Sequence, residues 1–254
     1  LNVHGFKGIV TGFNSTYREF AARWKELRGR DDVRVHEVAC VNAPRTLLCV
    51  ELGDHLQPAI ALAAGVHGDE PAGPAALLDL VASGALDARF AYRIWPCNNP
   101  DGFDARTRES AGGIDINRTF GKGGSSPEAR AILTANRDRK FVLSLDLHED
   151  CDANGFYCYE YGGGEIGKTV MQAVREASYP VDPLGRIAAD PNEEAALLGG
   201  LSYTMAIVRH AAAHALTFET PSSAPWEARL AMHRAAVLAA IAAVAGDSGT
   251  DPRK

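Results

Sequence analysis

"PAIALAAGVHGDEPAGPAALLDLVASG", residues 58–84, decides how the chain is built. Its first nine residues are a continuous apolar run, the pattern of a strand covered on both faces. Its last twelve, 73–84, read as a helix closed by Gly84. Between strand and helix stands His-Gly-Asp-Glu, with His67 and Glu70 three residues apart at the strand's carboxyl end.

Working outward, the same alternation continues. A helix is expected over 16–27, and strands over 33–41 and 46–52 in a hairpin around Asn42-Ala43-Pro44. Further strands are expected at 90–98, 141–148, 155–161 and 214–219. Helices are expected at 127–138 (with Pro127 at its start), 164–177, 201–210 and 225–245. Residues 99–126 hold six glycines and few large apolar side chains, so they read as a long loop. Loops of that length inside a domain are usually functional. A second polar loop is expected over 179–199. Strands alternating with helices predict one α/β domain over residues 1–246, a mixed or parallel central sheet with helices on both faces. A flexible tail is expected over 247–254.

Composition narrows the function. The 254 residues are 46% hydrophobic and 23% charged, enough apolar material for a sizeable core. A net charge of −6 and a pI near 5.8 exclude a basic nucleic-acid footprint and a polybasic membrane patch. No uninterrupted apolar run reaches the roughly 18 residues of a membrane span. The five cysteines are odd in number and scattered, with no CxxC. They read as reduced thiols of a cytoplasmic protein. The chain begins with Leu1, so an upstream signal stays open. Oligomeric state is not legible.

In open α/β sheets, ligands sit beyond the carboxyl ends of the strands. His67 lies just past one such end, His148 closes "FVLSLDLH", and Glu219 closes "HALTFE". A tight His-x-x-Glu turn lets both of its side chains address one centre. Two histidines and one carboxylate form a catalytic zinc set with a fourth position left for water. His67, Glu70 and His148 are therefore the candidate ligands of one Zn2+. Taken alone, the pair is a weak sign, because a strand-end histidine is more often hydrogen-bonded and a glutamate favours any helix N-terminus. The other six histidines, at 4, 36, 55, 210, 214 and 233, read as structural or surface residues.

"NNPDGFDARTRESAGGIDINRTF", residues 98–120, gives the pair its context. With "HGDE", "DLH" and "TFE", in that order over residues 65–219, it resembles the zinc carboxypeptidases. The likeness is to their short bacterial branch, which includes murein tripeptide amidase and borders the succinylglutamate desuccinylase and aspartoacylase group. The resemblance implies roles. Glu219 becomes the general base for a metal-activated water. Arg108 polarises the scissile carbonyl and holds the oxyanion, with Arg106 two residues away as the alternative. Asn117 and Arg118 bind the substrate's terminal carboxylate, for which an arginine fork is well shaped. Asp115 orients the first histidine ligand.

Other positions stay open at this level. Asp101 reads as a turn residue, and Asp146 shares a strand face with His148. Tyr203 is the nearest counterpart of the mobile capping tyrosine of pancreatic members. The acidic run Glu149, Asp150, Asp152 reads equally as a solvated loop, a reader of cationic substrate groups or a second ion site. Few residues follow the last helix, which leaves the expectation of an open cleft without the β-domain of the desuccinylase group. The leading function is a zinc carboxypeptidase or peptide amidase acting on a peptide with a free carboxylate. The alternative is an amidohydrolase of N-acyl amino acids. A third class is a non-catalytic peptide binder with a relic site.

Overall fold

The computed structural model describes residues 15–41, 45–121 and 123–247. α1 (Tyr17–Glu26) opens on a reciprocal cap, in which the Thr16 hydroxyl accepts the Glu19 N–H and the Glu19 carboxylate accepts the Thr16 N–H. β1 (Val33–Ala39) and β2 (Thr46–Leu52) pair antiparallel. The hairpin turn expected at 42–44 lies outside the described residues. β3 (Ala59–Ala64), α2 (Ala72–Ala82) and β4 (Ala91–Trp95) follow.

The expected loop over 99–126 is not wholly irregular. α3 (Pro100–Ala105) forms inside it, because Asn99 caps the Gly102 N–H and Pro100 fixes the first helical φ. Asp101 therefore lies on a helix, paired with Arg45 at 2.8 Å. A 3-10 turn forms at Ile116–Arg118. α4 (Pro127–Asn136), β5 (Phe141–Asp150), β6 (Phe156–Tyr161) and α5 (Ile166–Glu176) come next.

The polar loop expected over 179–199 is instead β7 (Val181–Ala188) and α6 (Pro191–Leu198). β7 is an edge strand with one buried residue, Asp182, and α6 buries none, so neither carries an apolar period. The signals for α6 are local: Asp190 caps the helix, Pro191 starts it and Gly199 closes it at φ +71°. α7 (Tyr203–His210), β8 (Ala212–Pro221) and α8 (Trp226–Asp247) complete the described chain. Of the expected tail, residues 248–254 lie outside the described residues.

The strands form one sheet in the order β1-β2-β4-β3-β5-β8-β6-β7. Its middle, β4-β3-β5-β8, is parallel, and antiparallel pairs flank it. α2 and α5 pack against α8 on one face, over Leu62, Leu145 and Phe218. α4 and α7 contribute to the core on the other, around Trp95, Phe120 and Tyr203. The fold is thus an α/β domain with a mixed, largely parallel sheet between helical layers. α8 is long and apolar enough to cross a membrane by composition alone, but its stripe of Met232, Ala236, Val237 and Ala240 is buried against the domain. β3, β5 and β8 are neighbours and end at the same edge, so His67, His148 and Glu219 are delivered side by side.

Candidate active site

His67 leaves β3 through a turn that has no room for a side chain at Gly68. A Cβ there would lie 1.8 Å from the Gly102 carbonyl carbon of α3, and the Gly68 N–H donates to the Thr107 carbonyl at 2.9 Å. This contact seats the His-x-x-Glu turn on the Asn-Pro-Asp-Gly helix. Glu70 then projects just before α2. Its Oε1 lies 2.6 Å from His67 Nδ1, and its Oε2 lies 2.9 Å from Nδ1 of His148 on β5. All three side chains are buried, and their ligand atoms lie within 4.8 Å of one another.

The far side of each ring explains why these nitrogens meet. His67 Nε2 faces Asp115 Oδ1 at 3.4 Å, and His148 Nε2 lies 3.1 Å from Asp146 Oδ2. An imidazole whose Nε2–H is directed to a carboxylate keeps only a lone pair at Nδ1. In that tautomer both Nδ1 atoms face Glu70 as metal ligands do, and a cation between them would join the three groups. The donor set, two nitrogens and a carboxylate, suits zinc, although cobalt or manganese accept similar ligands.

Electrostatics agrees. Burial alone would raise the Glu70 carboxyl, yet the histidines His148 and His67 overcome it and hold the group at about 2. Burial opposes charge on His148, but Asp146 and Glu70 raise it well above its usual value. The field that favours a positive imidazole favours a bound cation as well.

Glu219 on β8 is the in-register neighbour of His148 on β5. It reaches a cleft of about 370 Å³ that also receives His67, Glu70, Arg108, Asn117 and Arg118. Surrounding protein pushes the Glu219 carboxyl up to about 8; His148 opposes the shift, and Glu70 and Asp150 reinforce it.

Arg108 binds Asp115 through Nε at 3.1 Å and NH2 at 2.9 Å, which turns NH1 toward His67 Nδ1 at 3.4 Å and Glu70 Oε1 at 3.9 Å. Asp115 therefore touches both Arg108 and His67. Burial would raise its carboxyl, and His67 and Arg108 together hold it far below the usual range. Arg106, the alternative, points elsewhere: it donates to the Ser15 carbonyl and lies over the Phe103 ring. Asn117 spends its amide oxygen on the Tyr203 N–H at 3.1 Å, so its amide nitrogen is the end available to an acceptor. Arg118 lines the cleft while one of its nitrogens donates to the Asn117 carbonyl.

Two expectations change. Tyr203 is wholly buried, edge-on to Phe120, and cannot cap a substrate. The acidic run splits three ways. Glu149 is buried, held by the Ala72 N–H at 2.7 Å and by Arg229 at 2.6 Å. Asp150 takes a hydrogen bond from the Tyr157 hydroxyl and Asp152 is exposed; with Cys151 these two set ligand atoms within 4.8 Å of one another, so the second-ion reading stays open for this pair. Sequence reasoning missed the aromatic wall made by Tyr157, Tyr159 and Tyr161 of β6, and Glu194 of α6, all of which line the cleft. The period-2 tyrosines were a readable signal; Glu194 had none.

The sequence matches the succinylglutamate desuccinylase/aspartoacylase catalytic domain over residues 56–245, a span that holds every candidate ligand and Glu219. The chain belongs to this family. The desuccinylase/aspartoacylase domain here also shares the zinc-carboxypeptidase fold. A Shewanella amazonensis protein provisionally designated a metallopeptidase superposes with a TM-score of 0.70 at 22% identity, covering 89% of this chain and 91% of that one. A metallo-carboxypeptidase from Burkholderia cenocepacia gives 0.66 at 19% identity, covering 91% of this chain and 69% of that one. Carboxypeptidase SOL1 of Arabidopsis thaliana is 33% identical over 112 residues, 36% of this chain. That match spans 23% of the Arabidopsis protein's length. The fold and the His67-Glu70-His148 cluster together support a metal-dependent hydrolase.

Proposed function

We propose that this family member is a zinc-dependent carboxypeptidase or peptide amidase that hydrolyses the amide next to a carboxylate-bearing residue. One observation carries the reading: the cluster of His67, Glu70 and His148 opens on the same cleft as Glu219, Asn117 and Arg118. Within the zinc carboxypeptidases we place the chain on the short branch near murein tripeptide amidase, on the motifs at 67–70, 99–102 and 114–120. Its five unpaired thiols favour cytoplasmic residence.

A zinc ion held by the cluster supplies a Lewis acid and a water acidified to a pKa of about 7. The chain's own groups do the rest. Asn117 and Arg118 grip the substrate carboxylate and so fix which amide lies before Glu219. Glu219 takes a proton from the attacking water as the new C–O bond forms. It returns that proton to the nitrogen as the C–N bond breaks. Burial and the neighbouring carboxylates favour the protonated form of Glu219, and a zinc ion held beside it would lower the carboxyl into the range of a general base. The NH1 edge of Arg108, aimed by Asp115, faces the oxygen on which negative charge develops.

The family match favours a second reading, an amidohydrolase of N-acyl amino acids. Assaying the metal-loaded protein on peptides with free and with amidated C-termini, beside N-succinylglutamate and N-acetylaspartate, separates the two. The proposal expects turnover of free-ended peptides and loss of it on amidation. Turnover confined to the acyl amino acids selects the second reading. Stoichiometric zinc with no turnover of any compound selects a binding protein.

A further inference from the structure

The cleft continues beyond Glu219, and its far end has its own chemistry. On β6, Tyr157, Tyr159 and Tyr161 alternate onto the cleft face, in register with Glu219, Thr217 and Ala215 of β8. Four residues along a strand span about 13 Å. The slot therefore runs well past the general base, with the half-exposed Tyr159 ring as its wall. At its end stands Glu194 of α6, which accepts a 2.5 Å hydrogen bond from the buried Tyr161 hydroxyl. No lysine or arginine among the described residues pairs with Glu194. The same cleft is lined by the uncharged Leu198, Ser202, Met205 and Thr217, and its arginines, Arg108 and Arg118, form no ion pair with Glu194. An aromatic face ending in an unneutralised carboxylate is a receptor for a cation.

The position of the slot says which substrate residue enters it. The Asn117 amide oxygen is held by Tyr203 N–H, and the Phe120 N–H donates to the Leu201 carbonyl at 3.0 Å. The carboxylate grip thus hangs on the α6–α7 segment that carries Glu194. A residue gripped there by its carboxylate would have this slot open to its side chain.

We propose that Glu194, fixed by Tyr161, is the specificity group of the cleft and selects a substrate whose carboxylate-bearing residue has a long cationic side chain, lysine or arginine. This rests on the carboxylate-binding role of Asn117 and Arg118 proposed above. Direct binding tests it without turnover. The zinc-loaded protein is titrated calorimetrically with L-arginine, L-leucine and L-glutamate, which share the amino-acid head and differ in the side chain. The same titrations follow for Glu194→Gln, which keeps an acceptor for the Tyr161 hydroxyl. Arginine should bind the wild type at least about tenfold more tightly than leucine, the worth of one charge-assisted contact. Glu194→Gln should erase that difference. Binding of arginine no tighter than leucine, binding of none of the three, or an arginine preference that survives in Glu194→Gln overturns the proposal. The preference with no amide hydrolysis would sink the proposed reaction and leave Glu194 in place. Hydrolysis with no such preference would do the reverse.

Discussion

Glu70 and Glu219 face one cleft, and their surroundings drive them in opposite directions. Histidines on either side hold Glu70 ionised, while Glu219 is desolvated and stands among the carboxylates of Glu70, Asp150 and Asp146. That division suits a ligand and a base. Replacing Glu219 by Gln should leave zinc content at wild-type stoichiometry by elemental analysis while kcat falls about 10²- to 10⁴-fold. Near-normal turnover would take Glu219 out of its role.

His233 on α8 gives an independent residue-scale test. It is fully buried, its Nε2 sits 3.3 Å from the Thr220 hydroxyl, and burial, the largest cause, pushes it down to about 3. The unfolded chain takes up this proton near pH 6.5; the folded chain does not until about pH 3. The neutral ring's contribution is therefore complete above about pH 6.5 and is lost as pH falls. Between pH 7 and 5 the wild type should lose up to about 2 kcal/mol more unfolding free energy than His233→Gln, read by urea titration. Equal slopes would show that His233 is protonated in the fold.

At the scale of elements, the site depends on how closely the turn at 67–70 rests on α3. Gly68→Ala forces the two backbones apart and should cost about 3 kcal/mol or more, with zinc affinity falling alongside. A variant as stable as the wild type, with unchanged zinc affinity, would mean the contact is not needed.

The same scale shows what the sequence could disclose. β3, β5 and β8 are central, and their apolar runs end abruptly at His67, His148 and Glu219, so the strand ends were readable. The second carboxylate on His148, Asp146, followed from strand period. β7 and α6 were not readable as elements by apolar pattern, since an edge strand and a helix with no buried residue leave none. Their caps were written locally, in Asp190, Pro191 and Gly199. Tyr157, Tyr159 and Tyr161 announce one strand face, but only the antiparallel register with β8 turns that face to the cleft. Glu194 arrives there through the packing of α6 with α7, which no local pattern encodes. Arg108 and Arg106 differ by two positions, and the left-handed conformation of Arg106, φ 58°, sends it away from the cleft.

At the scale of the molecule, a zinc ion on His67, Glu70 and His148 would tie the turn between β3 and α2 to β5, 78 residues from Glu70. Metal that binds only the folded chain stabilises it by mass action. At a free concentration one hundredfold above Kd the gain is about 2.7 kcal/mol, or roughly 5–10 °C in Tm for a chain of this size. Chelation should lower Tm by that amount, and added zinc should restore it; an unchanged Tm would argue that the cluster is held by hydrogen bonds alone.

The most direct test locates the ion. Anomalous diffraction from zinc-loaded crystals, recorded on either side of the zinc edge, should show one strong peak about 2.1 Å from Nδ1 of His67, Nδ1 of His148 and a carboxylate oxygen of Glu70. A map with no peak there, or with its strongest peak at Asp150 and Asp152, would contradict the account.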